Sequence, residues 1–303
     1  MNENTFVTHS GERRALAVMA AALGILLLVG TFLDEGIAQA LYSPHNVPAT
    51  IVTTVGIYPF TAAIVLFMGA AFQRVAHSQK GKGVKVVQAA VCAVVALIVG
   101  FFGAASLLDI DCLGGLVPSL NKNYVVAAVL SLTIEWPLFL VGWKLAKRSD
   151  DERLLRRAVC LVVVLLAAFA FMQLTKGVFN RPRYRTVAEG LEGVGFVPWY
   201  RISPDPTELM ARYGLEASEF RSFPSGHAIL SISTISILLS LTWLFPDLRE
   251  KRVGLCWAGF AFAVVIMFTR MLLGAHYLSD VCAGALIGLG FVFVYDALQR
   301  RIA

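Results

Sequence analysis

Three short groups of polar residues stand where apolar runs of this 303-residue chain begin or end. Lys176 and Arg183, with six residues between them, follow one run. Pro224-Ser225-Gly226-His227 opens the next. Arg270, His276 and Asp280 lie at the junction of the last two, with five and then three residues between them. The combined inventory is three cations, a glycine-containing turn, two imidazoles and a carboxylate.

Phosphoryl transfer needs this kind of set: positive charge around the equatorial oxygens, an in-line nucleophile and an acid for the leaving oxygen. Lys176, Arg183 and Arg270 supply charge, the arginines as forked contacts and the lysine as a point contact. A Ser225-Gly226 turn entering a helix would offer backbone N–H groups to an anion, and Gly226 would allow close backbone approach. His276 and Asp280, four apart, share a face if a helix starts near His276. Asp280 then accepts from one imidazole nitrogen and leaves the other to attack, while His227 protonates the departing oxygen. The cations already neutralise phosphate, and no carboxylate cluster suited to magnesium is evident, so no metal or other cofactor is expected.

Taken singly, each fragment has a plainer reading. Ser and Gly are ordinary at helix starts. Arg270 alone reads as a snorkelling residue at a membrane interface. His276 with Asp280 alone reads as a structural pair, and the loop arginines as lipid-headgroup contacts. Their conjunction at neighbouring helix ends points to a site, because ionisable groups in apolar segments are costly.

These groups must be positioned by membrane helices. The chain is 57% hydrophobic and 15% charged, against about 25% charged in a soluble domain. The expected fold is all-α, a polytopic membrane bundle of about eight transmembrane helices. The expected spans are Ala15–Leu33, Thr50–Phe72, Val84–Leu107, Tyr124–Ala146, Ala158–Thr175, Ala228–Phe245, Gly254–Leu272 and Tyr277–Leu298. Pro59 and Pro137 are tolerated inside such spans. Residues 1–150 hold four spans. Residues 151–303 hold four more and a loop over 177–224, all within one integral membrane domain.

Most of the 26 lysines and arginines fall on alternate connections, such as Arg74–Lys85 and Lys144–Arg157. The positive-inside rule then places both termini in the cytoplasm of a multi-pass cell-membrane protein. The segments Asp34–Ala49 and Leu108–Asn123, on the other side, hold only Lys122. The loop from Lys176 to Arg221 breaks the trend with a surplus of cations, which suits an anionic ligand. All three polar groups fall on this extracytoplasmic side. Ala38-Gln39-Ala40 has the look of a signal-peptidase site, but the apolar stretch before it exceeds the usual 7–15 residues, so the first span is expected to be retained. Cys92, Cys160, Cys256 and Cys282 lie in apolar runs and Cys112 in a loop; neither a disulfide nor a zinc site is expected. Glu135, inside the fourth span, is open to a hydrogen-bonded structural role or a proton-linked one, the former being favoured.

The three groups resemble the signature of the type-2 phosphatidic acid phosphatase superfamily, the lipid phosphate phosphatases: K-x6-R-P, P-S-G-H and S-R-x5-H-x3-D. Tyr184 stands where the first motif has proline, and Thr269 where the third has serine. The resemblance covers about Ala158–Leu298. It implies a six-helix phosphatase-like core, so two helices here are extra. It also implies a phosphohistidine on His276 oriented by Asp280, with His227 as acid then base. Phosphate binding would fall to Lys176, Arg183, Ser225, Gly226 and Arg270, without metal and with vanadate sensitivity.

The implied activity is metal-independent hydrolysis of a lipid phosphate or pyrophosphate. Candidate substrates are undecaprenyl pyrophosphate, phosphatidic acid, phosphatidylglycerophosphate and a lipid A phosphate. Membrane lipids are the expected partners and nucleic acid is not. The rivals are a lipid phosphotransferase using the same site, a vanadium haloperoxidase and a non-catalytic membrane protein. The loop 185–223 is expected to cap the site and influence headgroup choice, with a helix start at Asp205–Glu208 and Trp199, Tyr200 and Tyr213 at the membrane interface.

Overall fold

The computed structural model describes residues 3–302, all helix, turn and loop, with no strand among the described residues. Seven helical segments are long and apolar enough to cross a membrane. The eighth expected span is a shorter apolar segment, Gly226–Leu241, broken at Ser233 into helices Gly226–Ile232 and Thr234–Leu241. Its faces are nearly all buried, so this segment meets protein on most sides where the others meet lipid.

Departures from the expected spans have local causes. The first helix runs Glu3–Leu41, well past Leu33, because the Asp34 carboxylate accepts hydrogen bonds from Arg181 and Ser279 in the bundle. The second span breaks after Thr54 and restarts at Tyr58 with Pro59 in its first turn, where a missing N–H costs nothing. The fourth opens into a π-turn over Ser131–Glu135 before Trp136-Pro137. Proline lacks the donor and crowds the carbonyl four residues back, and the wider turn relieves both. Glu135 is buried there, accepting from Thr61 Oγ1 at 3.3 Å, while its Oε2 has no partner.

One apolar core draws on all eight segments, the third through Cys92 and Ala96. The first span packs along the seventh and eighth, and the second joins the fourth to the fifth. At one end of the bundle, Arg252 pairs with Glu12 and Arg74 donates to the Ser149 carbonyl. The polar groups singled out in the sequence gather at the opposite end, where the first, fifth and seventh spans finish and the sixth and eighth segments begin.

Candidate active site

The buried centre of this end is Arg181, with no exposed surface. Its Nε donates to the Val197 carbonyl at 2.7 Å, Nη2 to Asp34 at 2.9 Å, and Nη1 to Ser279 Oγ at 2.9 Å and to Asp280. Asp34, from the first span, also accepts from the Ser279 backbone at 2.9 Å and from its hydroxyl. Asp280 Oδ2 accepts from Ser222 Oγ at 2.5 Å and from the Tyr277 backbone at 2.8 Å. The last bond reaches back across the first turn of helix Leu278–Ile302, as in a capping box. The two carboxylates are thus matched by one guanidinium and by hydroxyl and amide donors, the condition for burying charge.

His276 stands just before that helix, in the turn. Its Nδ1 lies 2.7 Å from the Ser222 carbonyl. A carbonyl only accepts, so Nδ1 carries the proton and Nε2 keeps its lone pair. Asp280 Oδ2 is 3.8 Å from Nδ1, an ion-pair distance longer than a hydrogen bond. Burial lowers the His276 pKa to about 4; Asp280 opposes the shift and Arg270 and Arg183 add to it. The imidazole is therefore neutral at physiological pH.

Ser225 caps the short helix that carries His227, accepting from the Ala228 N–H at 3.4 Å. The Ser225 N–H donates to the Asp280 carbonyl at 3.1 Å, tying the second motif to the third. His227 lies within electrostatic reach of Arg270, Lys176 and His276, and its Nε2 is buried without a partner. A Cβ at Gly226 would come within 2.5 Å of Met172 Sδ and 2.9 Å of Lys176 Cε. Glycine here lets the lysine stem lie against the turn.

Arg183 and Arg270 converge on a residue outside the three motifs, Asp111, from the loop after the third span. Its Oδ2 accepts from Arg183 Nη1 at 2.8 Å and from Arg270 Nη2 at 2.6 Å. Its Oδ1 accepts from Arg185 Nη1 at 2.6 Å, and Arg185 is held in turn by Glu219. Arg183 Nε and Arg270 Nε and Nη1 are buried with no partner. Burial opposes ionisation of Asp111, but Arg270, Arg183 and Arg185 outweigh it and hold its pKa well below the usual range. Burial, then the charges of Arg183 and Arg270, lowers Lys176 to about 8.

All eight residues proposed from the sequence thus lie at one end of the bundle. Three expectations are corrected. His276 and Asp280 do not share a helix face, since the helix begins at Leu278. The direct acceptor for His276 is the Ser222 carbonyl, with Asp280 acting on Ser222 through its hydroxyl. The atoms approaching Gly226 are those of Lys176 and Met172. The two motif departures find uses: Thr269 Oγ1 accepts from Thr53 Oγ1 at 2.9 Å, and the Tyr184 ring meets Tyr42 and Tyr277 edge-on. In the loop 185–223, Trp199 stacks on Phe223 and donates to Thr31 Oγ1 at 3.0 Å. The loop helix is Thr207–Tyr213, with Asp205 accepting from the Thr207 N–H at 3.0 Å.

Sequence reasoning missed Asp34, Arg181, Asp111 and Ser222. One signal pointed at the first and third: the two connections expected on the same side as the basic loop carry Asp34, Asp109 and Asp111 and almost no cation.

A bundle of membrane-length helices with a cluster of cations and two imidazoles at one end defines a multi-pass membrane protein. Residues 157–302, just under half of the chain, match the PAP2 superfamily. A stretch of 74 residues is 38% identical to a lipid A 1-phosphatase of Rhizobium johnstonii, over 24% of this chain and 26% of that protein. A stretch of 75 residues is 45% identical to the bacitracin transport permease protein BcrC of Bacillus licheniformis, over 24% of this chain and 32% of that one. The matched region therefore spans only a quarter to a third of these curated relatives. No solved structure matches.

Proposed function

We propose that the protein is a metal-independent lipid phosphate phosphatase working through a phosphohistidine on His276. The observation that carries this reading is a group of buried polar atoms without partners, the donors Arg183 Nε and Arg270 Nε and Nη1 together with the ring nitrogen His227 Nε2, near a neutral imidazole whose one proton is fixed on Nδ1. Unsatisfied buried donors are costly, and a phosphoryl group would satisfy them together.

In this mechanism Lys176, Arg183 and Arg270 hold the non-bridging oxygens. His276 Nε2 forms the new bond to phosphorus, and the alcohol or phosphate leaves with a proton from His227. Ser222 and Asp280 hold the His276 ring and stabilise the positive charge it gains. Neutral His227 then takes a proton from water, which attacks the phosphohistidine and releases inorganic phosphate. Transfer to an acceptor other than water would use the same residues.

The charge bias of the connections supports an extracytoplasmic site with cytoplasmic termini. A lipid would then keep its chains in the outer leaflet while its phosphate enters the cluster. The name of the Rhizobium relative favours a lipid A phosphate among the candidates, and loop 185–223 is expected to influence headgroup choice.

The test is phosphate release by purified protein in detergent with EDTA. The panel comprises phosphatidic acid, phosphatidylglycerophosphate, a lipid A phosphate and undecaprenyl pyrophosphate. Turnover of at least one is expected, and inactivity on all would overturn the assignment. A pH profile gives a second check. Lys176 is a cation below about pH 8 and loses its charge above it, so kcat/KM should fall on the alkaline side near pH 8. Lys176→Arg should move that limb upward by more than one unit, since arginine does not titrate there.

A further inference from the structure

The cation cluster contains a carboxylate that none of the three motifs supplies. Asp111 comes from the loop between the third and fourth spans, outside residues 157–302. That loop is tight: the Asp111 N–H bonds Asp109 Oδ1 at 3.2 Å, and the Lys122 N–H closes back on the Leu108 carbonyl at 3.3 Å. It delivers one carboxylate to Arg183, Arg185 and Arg270, with the side chain nearly fully buried.

The division of donors decides what this carboxylate does. Asp111 takes one terminal nitrogen from Arg183 and one from Arg270. It leaves Arg183 Nε and Arg270 Nε and Nη1 unpartnered and buried. An occupant of the anion place would consume the donors that a phosphate uses. A residue that aligns the arginines would instead hold them by part of the fork and leave the remainder free, as found. The charges agree. Lys176, Arg183, Arg185 and Arg270 against Asp111 and Glu219 leave a net charge of +2, the complement of a phosphate monoester dianion. Without Asp111, the guanidiniums of Arg183 and Arg270 face one another with only Glu219, held on Arg185, as a nearby counter-charge, and repulsion drives them apart.

We infer that Asp111 is a positioning residue that fixes the fork orientation of Arg183 and Arg270 for a phosphate dianion. The inference rests on the proposed phosphate site, but its test does not require turnover. Orthovanadate binding is measured by calorimetric titration of wild type, Asp111→Asn and Asp111→Glu, alongside unfolding temperatures without vanadate. Asp111→Asn keeps the shape and removes the charge. Its vanadate Kd is expected to rise about tenfold, the scale of a charge-assisted contact. The unfolding temperature should stay within a few degrees of wild type. Asp111→Glu restores the charge at a displaced position and should fall between the two. A merely structural role would lower the unfolding temperature of Asp111→Asn without moving Kd, and that result overturns the inference. Equal or tighter vanadate binding by Asp111→Asn also overturns it, showing a carboxylate that competes with the anion. If Asp111→Asn does not fold, Asp111→Glu carries the test alone, and wild-type Kd in that variant overturns the inference. Failure of wild type to bind vanadate removes the phosphate site and this inference together, whereas loss of the Asp111 effect alone leaves the phosphate site standing.

Discussion

His276→Asn is expected to lower phosphate release by roughly 10⁴-fold or more, the scale seen when a covalent nucleophile is removed. Asparagine is the informative replacement because its amide N–H can still donate toward the Ser222 carbonyl, which otherwise would lose the Nδ1 proton that satisfies it. The fold around Ser222 and Asp280 should persist, and only the lone pair on Nε2 disappears. The pH dependence follows from the same geometry. With a pKa near 4, the imidazole is neutral above that value and becomes protonated, losing its lone pair, as pH falls through it. The acid limb of wild-type kcat/KM set by this group should therefore lie near pH 4, well below the 6.5 of a free histidine. Brief incubation with ³²P-labelled lipid and a denaturing quench should trap an acid-labile label on wild type and none on His276→Asn. Retained turnover and label in His276→Asn would remove His276 from the nucleophile role and shift attention to His227.

The residues of this site differ in how far local sequence betrays them. Lys176 with Arg183, and Arg270 with His276 and Asp280, lie few residues apart along the chain, so the short connections between their elements keep them close. Pro224 to His227 announces its own turn. Helix existence was equally legible from apolar runs, but helix interruptions were not. Whether Pro59 restarts a helix, or Pro137 is absorbed by a π-turn at Ser131–Glu135, depends on what packs beside it. Asp34 looks like the end of an apolar run until Ser279, 245 positions away, supplies its donors. Asp111 is likewise an ordinary loop carboxylate until two helix ends bring Arg183 and Arg270 to it. A charge count per side of the membrane would have asked which acids balance the basic loop. It could not have said which arginine each acid meets, because that is set by how the helices pack.

Arg181→Met should be the most destabilising single change at this end of the protein. Methionine approximates the length and apolar stem of arginine, so packing against the Tyr277 ring, 4.1 Å from the guanidinium carbon, is largely kept. What is lost is the one cation shared by Asp34 and Asp280. Removing one partner of a buried pair leaves an uncompensated charge and typically costs about 3–5 kcal/mol, and here two carboxylates are left. Thermal unfolding in detergent should show a large drop, and activity should fall with it, because Asp280 also fixes Ser222 and thereby the acceptor of His276. Arg181→Lys should recover little, since a single ammonium cannot span Asp34, Asp280 and the Val197 carbonyl as the fork does. The decisive comparison is the double variant Arg181→Met with Asp34→Asn. If the penalty arises from stranded charge, removing one carboxylate alongside the cation should restore part of the stability lost by Arg181→Met alone. Additive losses would mean that Arg181 acts through packing, and that the first span is not electrically tied to the end that carries His276 and Asp280.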